Sequence, residues 1–324
     1  MEEVLVSINC ITYNHEKYIG QAIESFLSQE TNFNYEIIIG DDCSTDNTKK
    51  IVEEYVEKYP NKIRLITDVK NVGARNNEIR IHNASRGKYI AICEGDDYWI
   101  DNKKLQKQID YMEKNQECTL CFHNAKKFDD VAQEYCGLMI DSKFKSMEIG
   151  EEKFLELQFI PTASTVYRKE AKENFPNWYM NAIVGDLPSH LILIDRGYAY
   201  YIDEIMSAYR VNNINSVMNQ WKLKHNSIEK KVEHFKKYIY IFDEFNKYTN
   251  YKYDELMKRE IFRQEFLMYS IQGNYKKVKE PKYKEFWNEL SNKSKLKVIL
   301  TCISPTLYEK LIEWKVNKFK NKES

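Results

Sequence analysis

The chain has 324 residues, of which 43% are hydrophobic and 30% are charged, and this composition excludes an intrinsically disordered protein. Its length suits one large domain with an extension, or two ordinary domains. The formal net charge is zero, but residues 1–221 hold 25 Lys and Arg against 35 Asp and Glu, and residues 222–324 hold 24 against 14. A basic last third therefore follows an acidic body.

The seven cysteines are an odd number in mostly apolar surroundings, which favours a reducing compartment over a disulfide framework. Cys118 and Cys121 form one CxxC, but without a second pair or a suitably spaced His, two packed thiols are preferred to a zinc or redox site. The start MEEVLVSINC has acidic residues where a signal peptide is basic, and no apolar run is long enough to span a membrane. We expect a cytoplasmic protein, with association at the inner face of the membrane left open.

The first hundred residues alternate buried strands with amphipathic helices. Residues 4–11 are apolar and β-branched, and the helical stretch that follows has an apolar stripe at helical spacing. The pattern repeats with strand YEIIIGDD, helix TKKIVEEYVEKY, strand IRLIT, a helical stretch after Gly73 and strand KYIAIC, with Ser44 or Thr45 able to cap the second helix. This alternation predicts an α/β fold with a mostly parallel, Rossmann-like sheet flanked by helices.

In such sheets ligands bind at the carboxyl ends of the strands. We therefore expect the polar residues that follow the strands to converge on one cleft: Thr12, Asp41, Asp42, Glu94, Asp96 and Asp97. Further along, LQKQIDYMEKN predicts a helix, CTLCFH a strand, residues 125–150 a loop-rich segment, TASTVY a strand and LPSHLILIDRG a helix. After residue 221 the chain is rich in Lys and Tyr and helical in period, so we place a boundary there.

The stretch CEGDDYWID concentrates three carboxylates in four positions directly after a predicted buried strand. A solvated acidic turn is the simple interpretation, but the convergence of other carboxylates at the same edge favours a site for Mg²⁺ or Mn²⁺ or for a ribose. The stretch DCSTD after the second strand resembles part of a calcium loop. It lacks the Gly and the final Glu of an EF-hand, so helix capping and ligand hydrogen bonding are preferred.

The blocks INCITYNHEKYIGQAIESFLSQ, EIIIGDDCSTDNT, NVGARNNEIR and GKYIAICEGDDYW, followed by KLQKQIDYM, resemble the nucleotide-sugar domain of the family 2 glycosyltransferases, the inverting GT-A type. PTASTVYR, VGDLPSHLIL and YIDEIMSAYRVNN continue the similarity, which covers about residues 1–217. The resemblance implies a catalytic domain at 1–221, with a nucleotide-sugar half at about 1–115 and an acceptor half at 116–221. Residues 222–324 would form a basic helical extension.

The resemblance also implies the donor-binding residues. Tyr13 offers a stacking face to the base, Asp42 reads the base amide, and either Arg75 or Arg80 meets the diphosphate. UDP is the expected carrier. The loop that receives the base is formed by Thr12, Tyr13 and Asn14.

By the same resemblance, Asp96 and Asp97 match the DxD-type motif. Asp96 is expected near the ribose and the metal, and Asp97 on the Mn²⁺ or Mg²⁺ itself, while Glu94 has no assigned role. Trp99 is expected at the sugar edge of the cleft. Such an ion neutralises the charge that develops on the departing diphosphate.

The general base implied by the resemblance is Asp186, which would take the proton from the acceptor hydroxyl during attack with inversion. The sequence GDLP also suits a helix N-cap at Asp186, and the two roles are compatible. His190 is either a partner of Asp186 or a packed helix residue, and the packed residue is preferred. The strand on the acceptor side, for which core packing is the alternative, contains Thr162, Ser164 and Thr165.

Asn212 departs from the family pattern, because many relatives have at this position a His that holds the metal or the diphosphate. This puts the third protein ligand in doubt. The sequence thus predicts a glycosyltransferase that moves a hexose from a nucleoside-diphosphate sugar to a glycan or lipid-linked acceptor, in cell-surface polysaccharide synthesis. A non-catalytic nucleotide-sugar or glycan-binding subunit is the alternative. A dinucleotide-dependent oxidoreductase is disfavoured because the first loop has no GxGxxG.

The basic last third predicts either a helical extension with solvated lysines, which is preferred, or a segment that lies on an anionic membrane surface. Nucleic acid is not expected as a partner, because this segment contains no recognition module and the body is acidic.

Overall fold

The structure is a computed structural model that describes residues 3–157, 159–182, 185–212 and 227–303. The chain divides into two compact units. Unit 1 comprises residues 1–180 and 184–220, and unit 2 comprises residues 181–183 and 221–324.

Unit 1 is built on one ten-stranded mixed sheet in the order β3-β2-β1-β4-β9-β6-β10-β5, with β7 beside β6 and β8 beside β10. The strands β1 to β4, together with the pair β6 and β10, run parallel, and the remaining strands run antiparallel to their neighbours. The strands are β1 Val6–Thr12, β2 Tyr35–Asp41, β3 Ile63–Thr67, β4 Tyr89–Ile92, β5 Tyr98–Trp99, β6 Cys118–Asp129, β7 Glu134–Leu138, β8 Met147–Ile149, β9 Val166–Arg168 and β10 Tyr198–Val211.

The helices of unit 1 begin close to where the sequence pattern places them. The apolar stripe of α1 is buried at Ile19, Ala22, Ile23 and Phe26, and burying each large apolar side chain contributes about 1.5–3 kcal/mol. Cys118 and Cys121 lie buried on β6, as expected for packed thiols. The helices are α1 Ile19–Leu27, α2 Thr48–Lys58, α3 Ala74–Ala84, α4 Lys104–Lys114, α5 Glu151–Leu157, α6 Asn177–Asn181 and α7 Asp186–Asp195.

Three sequence-based predictions about local structure are wrong. The segment 125–150 is not simply loop-rich, because β6 continues to Asp129 and is followed by β7 and β8. All five residues of β7 are exposed, so the sequence has no alternation of apolar and polar residues that would predict this strand. Neither Ser44 nor Thr45 caps α2, since Asp46 accepts the amide of Thr48 at 2.9 Å. The strand predicted at TASTVY starts only at Val166, after a 3-10 turn.

The strand order reverses between β1 and β4. Strands β2 and β3 lie on one side of β1, whereas the chain returns through α3 to place β4 on its other side. In open α/β sheets such a reversal leaves a crevice at the carboxyl ends of the two strands, and ligands bind there.

Unit 2 is helical over the residues that the structure describes. A small core forms around Phe266, Val278, Tyr283 and Phe286. Within the described residues, no helix has the length and apolar character needed to cross a membrane. The helices of this unit are α8 Ile228–Tyr248, α9 Asp254–Ile271, α10 Tyr275–Val278, α11 Lys284–Glu289 and α12 Asn292–Ile303.

Candidate active site

The ends of β1, β2 and β4 bring polar residues together at one edge of the sheet. Thr12 is in register with Asp41 on the neighbouring parallel strand. The loop after β4 is tied to β1 by Gly95, whose amide donates to the carbonyl of Ile11 at 3.0 Å. The predicted edge is therefore formed by three strand ends.

The loop after β1 is fixed to the loop after β2. Asn14 has a left-handed backbone, with φ of 56°, and its Oδ1 accepts the amide of Thr45 at 2.8 Å. Its own amide donates to Ser44 Oγ at 2.9 Å. Tyr13 is 43% exposed, so its ring is available to a ligand, and the buried Thr12 Oγ1 has no hydrogen-bond partner among the described residues.

The two carboxylates after β2 act differently. Asp41 is fully buried and accepts from the Ser44 hydroxyl at 2.5 Å, so it stabilises its own turn and is not left for a ligand. Asp42 accepts the amides of Val72 and Gly73 at 2.7 and 3.0 Å. Asp42 thus joins the loop before α3 to the strand edge.

The two arginines of α3 point to different neighbours. Arg80 Nη2 donates to the Asp41 carbonyl at 3.2 Å and to Asn77 Oδ1 at 2.7 Å. Arg75 Nη1 donates to the Tyr179 carbonyl at 2.6 Å, and its guanidinium stacks 4.5 Å from that ring.

The acidic loop after β4 contains a buried carboxylate oxygen without a partner. Asp97 is 3% exposed, and its Oδ1 accepts the amide of Arg210 at 2.9 Å, but Oδ2 has no hydrogen-bond partner among the described residues. Burial raises the pKa of the Asp97 carboxyl well above its usual range, and the negative charge of Asp96 raises this pKa further. A buried oxygen of this kind needs a cation or a donor.

A divalent ion fits this loop only in part. Two carboxylates are the hard oxygen ligands that Mg²⁺ and Mn²⁺ prefer, and Mg²⁺ in phosphate sites often rests on one or two carboxylates plus substrate oxygens. Within the described residues, no group of three or more His, Cys, Asp and Glu side chains forms a metal-binding cluster. Asp96 and Asp97 would therefore hold an ion together with a phosphate-bearing ligand.

Trp99 is not at the sugar edge of the cleft, and this prediction is corrected by the structure. The side chain is 4% exposed, its Nε1 donates to the Ala163 carbonyl at 2.8 Å, and its ring packs edge-on against Phe26. Lys104 Nζ lies 4.2 Å from the ring centre. The preceding strand residue, Tyr98, is buried as well, so β5 is a core strand whose aromatic residues face the protein interior.

A pocket at the strand reversal joins the acidic loop to the predicted base. Its cavity volume is about 40 Å³, within a wider crevice of about 400 Å³ that includes open solvent. Its floor is apolar, and three carboxyl groups stand around it. The lining residues are Asn9, Ile11, Glu78, Ile81, Ile92, Glu94, Thr162, Tyr167 and Asp186.

Asp186 is the first residue of α7, with Gly185 at the N-cap position, so the capping alternative is wrong. Its Oδ2 lies 3.5 Å from the Thr162 hydroxyl. Asp186 is an exposed residue, but its carboxyl stands in a concave pocket, where loss of hydration, followed by the charge of Glu78, raises its pKa. A carboxylate with a raised pKa is a better base near neutral pH.

Of the other residues predicted on the acceptor side, some face the pocket and some are buried in the core. Thr162 faces the pocket, whereas Ser164 and Thr165 are buried and bond to neighbouring carbonyls. His190 is buried and packs edge-on against Phe154, which supports its interpretation as a packed residue. Asn212 donates to Asp129 Oδ2 at 2.7 Å, and this bond turns its amide group towards the end of β6.

Sequence reasoning missed three residues. Glu78 lines the pocket from α3, one turn after Arg75, a spacing that could have indicated it. Burial, followed by the charges of Asp97, Glu94, Asp96 and Asp186, raises the pKa of Tyr209 on β10. His15 Nε2 is 3.9 Å from Asp96 Oδ2. Only the folding of the chain brings Tyr209 and His15 to this place.

The mixed sheet flanked by helices, with its acidic loop after β4, has the GT-A fold. The Staphylococcus aureus protein TarS, solved with UDP, aligns with a TM-score of 0.60 and 16% identity over 93% of this chain and 81% of its own. The chain belongs to glycosyl transferase family 2, because the sequence model of that family matches residues 7–175.

Two curated proteins are similar to this chain in sequence. The uncharacterized protein Mb1547 of Mycobacterium bovis is 37% identical over 195 residues, which are 59% of this chain and 51% of that protein. The Escherichia coli protein WfgD, a UDP-Glc:alpha-D-GlcNAc-diphosphoundecaprenol beta-1,3-glucosyltransferase, is 40% identical over 118 residues, 36% of this chain and 44% of its own. The chain thus spans about half the length of the first curated relatives it matches.

Proposed function

We propose that the protein transfers a hexose from a nucleoside-diphosphate sugar, with UDP as the expected nucleotide, to a glycan or lipid-linked acceptor with inversion, in cell-surface polysaccharide synthesis. One observation carries this proposal: Asp186 and the acidic loop after β4, represented by Glu94, line the same pocket at the strand reversal. A base and a site for a charged leaving group must stand on opposite faces of the reacting sugar, and a position of Asp186 across the pocket from the acidic loop supports this assignment.

The proposed roles follow from the positions of the side chains. Tyr13 stacks on the nucleotide base, with Thr12 and Asn14 shaping its loop. Asp42, which also holds the neighbouring loop, accepts a hydrogen bond from the base amide. Asp96 and Asp97 would hold Mn²⁺ or Mg²⁺, and such an ion supplies positive charge to the departing diphosphate. Asp186 accepts the proton of the acceptor hydroxyl as its oxygen attacks the anomeric carbon.

The similarity to WfgD supports the UDP carrier and the lipid-linked acceptor, because both are in that protein's name. For an acceptor in a membrane, we propose that unit 2 lies on an anionic membrane surface from the cytoplasmic side. Helix α12 exposes Leu296 and Leu300 among three lysines, which is the pattern of an interfacial helix.

A non-catalytic nucleotide-sugar-binding protein is the second candidate. The observation that favours it is Asn212, whose amide is bonded to Asp129 and which replaces a His of many relatives. Such a protein binds the donor but neither transfers nor hydrolyses the sugar.

Thermal-shift measurements with UDP, GDP, dTDP and CDP, each with and without Mn²⁺, test the donor and the ion together. We expect one nucleotide to raise the melting temperature only with Mn²⁺, and Asp97→Asn to remove this effect while the protein stays folded. The Asn variant keeps an oxygen for the amide of Arg210. Equal shifts for Asp97→Asn and the parent protein would contradict the metal role.

The role of Asp186 is tested by Asp186→Asn. We expect donor binding to persist while release of the nucleotide from the donor sugar, measured with lipid extract as acceptor, falls by about 10²–10⁴-fold. Asp195→Asn, at the other end of α7, is the matched control and should keep the rate. Donor binding without turnover in the parent protein itself would support the second candidate.

A further inference from the structure

The acidic loop after β4 is joined to β10 through Arg210. The backbone amide of Arg210 donates to Asp97 Oδ1 at 2.9 Å, and the residue is 8% exposed. Its side chain extends to two other elements: Nη1 donates at 3.1 Å to Asp130 Oδ1, just after β6, and Nη2 donates to Gln21 Oε1 on α1. Arg210 therefore contacts a carboxylate of the acidic loop with its backbone and two neighbouring elements with its guanidinium.

Three aromatic rings surround this guanidinium. Its central carbon lies 4.8 Å from the ring centre of Tyr18, 5.1 Å from that of Tyr98 and 5.2 Å from that of Phe128. The Tyr18 hydroxyl donates to the second carboxylate oxygen of Asp130 at 2.6 Å. A planar guanidinium uses its faces for stacking and its edge for hydrogen bonds at the same time, which a lysine ammonium cannot do. The side chain of Arg210 is thus held in one position.

The strand that contains Arg210 also fixes the backbone next to Asp97. Tyr98, the residue after Asp97, pairs with Ala208 in the antiparallel contact between β5 and β10. One oxygen of Asp97 is held by the Arg210 amide, and the other, Oδ2, is buried without a hydrogen-bond partner among the described residues. Because the carboxyl group is planar, a shift of the Arg210 amide would change the direction of Oδ2 as well.

On the basis of the proposed function, we propose that Arg210 is a positioning residue for donor binding: its enclosed side chain fixes the amide that holds Asp97, and this directs Asp97 Oδ2 to the ion and the diphosphate. Arg210 itself touches neither of them. A carboxylate that is already held in its binding orientation loses less freedom when an ion binds. Residues that hold a metal ligand in place typically contribute about 10–100-fold to metal affinity.

The test is titration calorimetry with UDP, or with the nucleoside diphosphate that the thermal-shift panel selects, at a series of fixed Mn²⁺ concentrations. Arg210→Lys keeps the positive charge but removes the planar fork, so it disturbs the position of the amide and not the charge of the site. We expect the Mn²⁺ concentration that gives half of the maximal affinity to rise by at least about tenfold. At excess Mn²⁺ the Kd of the nucleotide should return to within about threefold of the parent value, because the ion site is weakened and not removed.

Arg168→Lys is the matched control, because Arg168 is also a buried arginine but pairs with Tyr89 at the end of β4 opposite to the acidic loop. We expect both lysine variants to lose stability in urea unfolding, while only Arg210→Lys changes the dependence on Mn²⁺. Asp130→Ala removes one partner of the guanidinium at a side chain that is 18% exposed, and it should raise the required Mn²⁺ concentration by a smaller factor. This variant tests the inference if Arg210→Lys does not fold.

The outcomes separate this inference from the proposed function. If Arg210→Lys and Asp130→Ala lose stability but keep the dependence on Mn²⁺ of the parent protein, the inference is overturned and the proposed transfer reaction stands. The same holds if excess Mn²⁺ does not restore nucleotide binding to Arg210→Lys, or if the parent protein binds the nucleotide equally well without Mn²⁺. If the parent protein binds no nucleoside diphosphate at any Mn²⁺ concentration, the proposed function is overturned and the inference falls with it.

Discussion

Lys104 is a buried lysine whose charge destabilises the folded protein. It is fully buried below Trp99, and its Nζ has no hydrogen-bond partner among the described residues. Burial lowers the pKa of this lysine to about 7. The unfolded chain therefore holds one more proton than the folded protein between about pH 7 and pH 10, so this group makes the protein more stable as the pH rises through that window.

Lys104→Met should stabilise the protein most at and below pH 7, where the parent carries a buried charge. The gain in the free energy of unfolding should fall by about 1.4 kcal/mol for each pH unit above pH 7. It should approach zero towards pH 10. Urea unfolding at pH 6.5, 8 and 9.5 measures it. Lys103→Met, an exposed neighbour, should show no such dependence on pH. A difference between Lys104→Met and the parent protein that stays constant from pH 6.5 to 9.5 would show that Lys104 titrates normally.

The acidic loop shows that two neighbouring residues of the same type can have different surroundings in the folded protein. Asp96 and Asp97 are adjacent and chemically identical, yet Asp97 is buried with one unpartnered oxygen while Asp96 lies near His15. The difference arises from β10, whose Arg210 amide bonds to Asp97. The sequence predicted the carboxylates, but the burial of one of them depends on a strand more than a hundred residues away.

At the scale of elements, one buried arginine ties four of them together. Arg168 on β9 donates to the Cys118 carbonyl at the start of β6, to the Tyr89 hydroxyl on β4, and to the carbonyls of Met112 and Asn115 at the end of α4. This places the short antiparallel strand β9 between two parallel parts of the sheet. Arg168 is 3% exposed, so water does not replace these bonds.

Arg168→Met should lower the free energy of unfolding by about 3 kcal/mol or more, because several buried acceptors lose their donor at once. Urea unfolding followed by fluorescence measures the change. Arg259→Met, which changes a half-buried arginine paired with Glu285, is the control and should cost less than about 1 kcal/mol. A similar small effect for both variants would mean that the four acceptors are satisfied in another way.

At the scale of the whole molecule, charge is divided between the units. The last third is basic, and Leu296 and Leu300 on α12 are 57% and 37% exposed, one turn apart. Apolar side chains among lysines can enter the interface of an anionic membrane, where each basic residue contributes about 1 kcal/mol.

Flotation with vesicles containing phosphatidylglycerol tests this placement. We expect the protein to bind these vesicles, to bind less as salt is raised, and to bind at least about tenfold more weakly when Leu296 and Leu300 are both changed to Ser. Tyr251→Ser, which removes another exposed apolar residue of unit 2, should keep the binding. Equal binding to uncharged phosphatidylcholine vesicles would remove the electrostatic component of the proposal.

The sequence by itself determined the alternating α/β architecture, the convergence of polar strand ends at one edge of the sheet and the family, because strand and helix periods and ordered motifs are local signals. It could not indicate the exposed strand β7, which has no buried face, or the burial of Trp99 in the core. Tertiary structure alone brought Glu78, Glu94 and Asp186 around one pocket, since they come from three distant segments. It also left Asp97 with an unpartnered oxygen, because hydrogen bonding and hydration depend on neighbours that the local sequence does not contain.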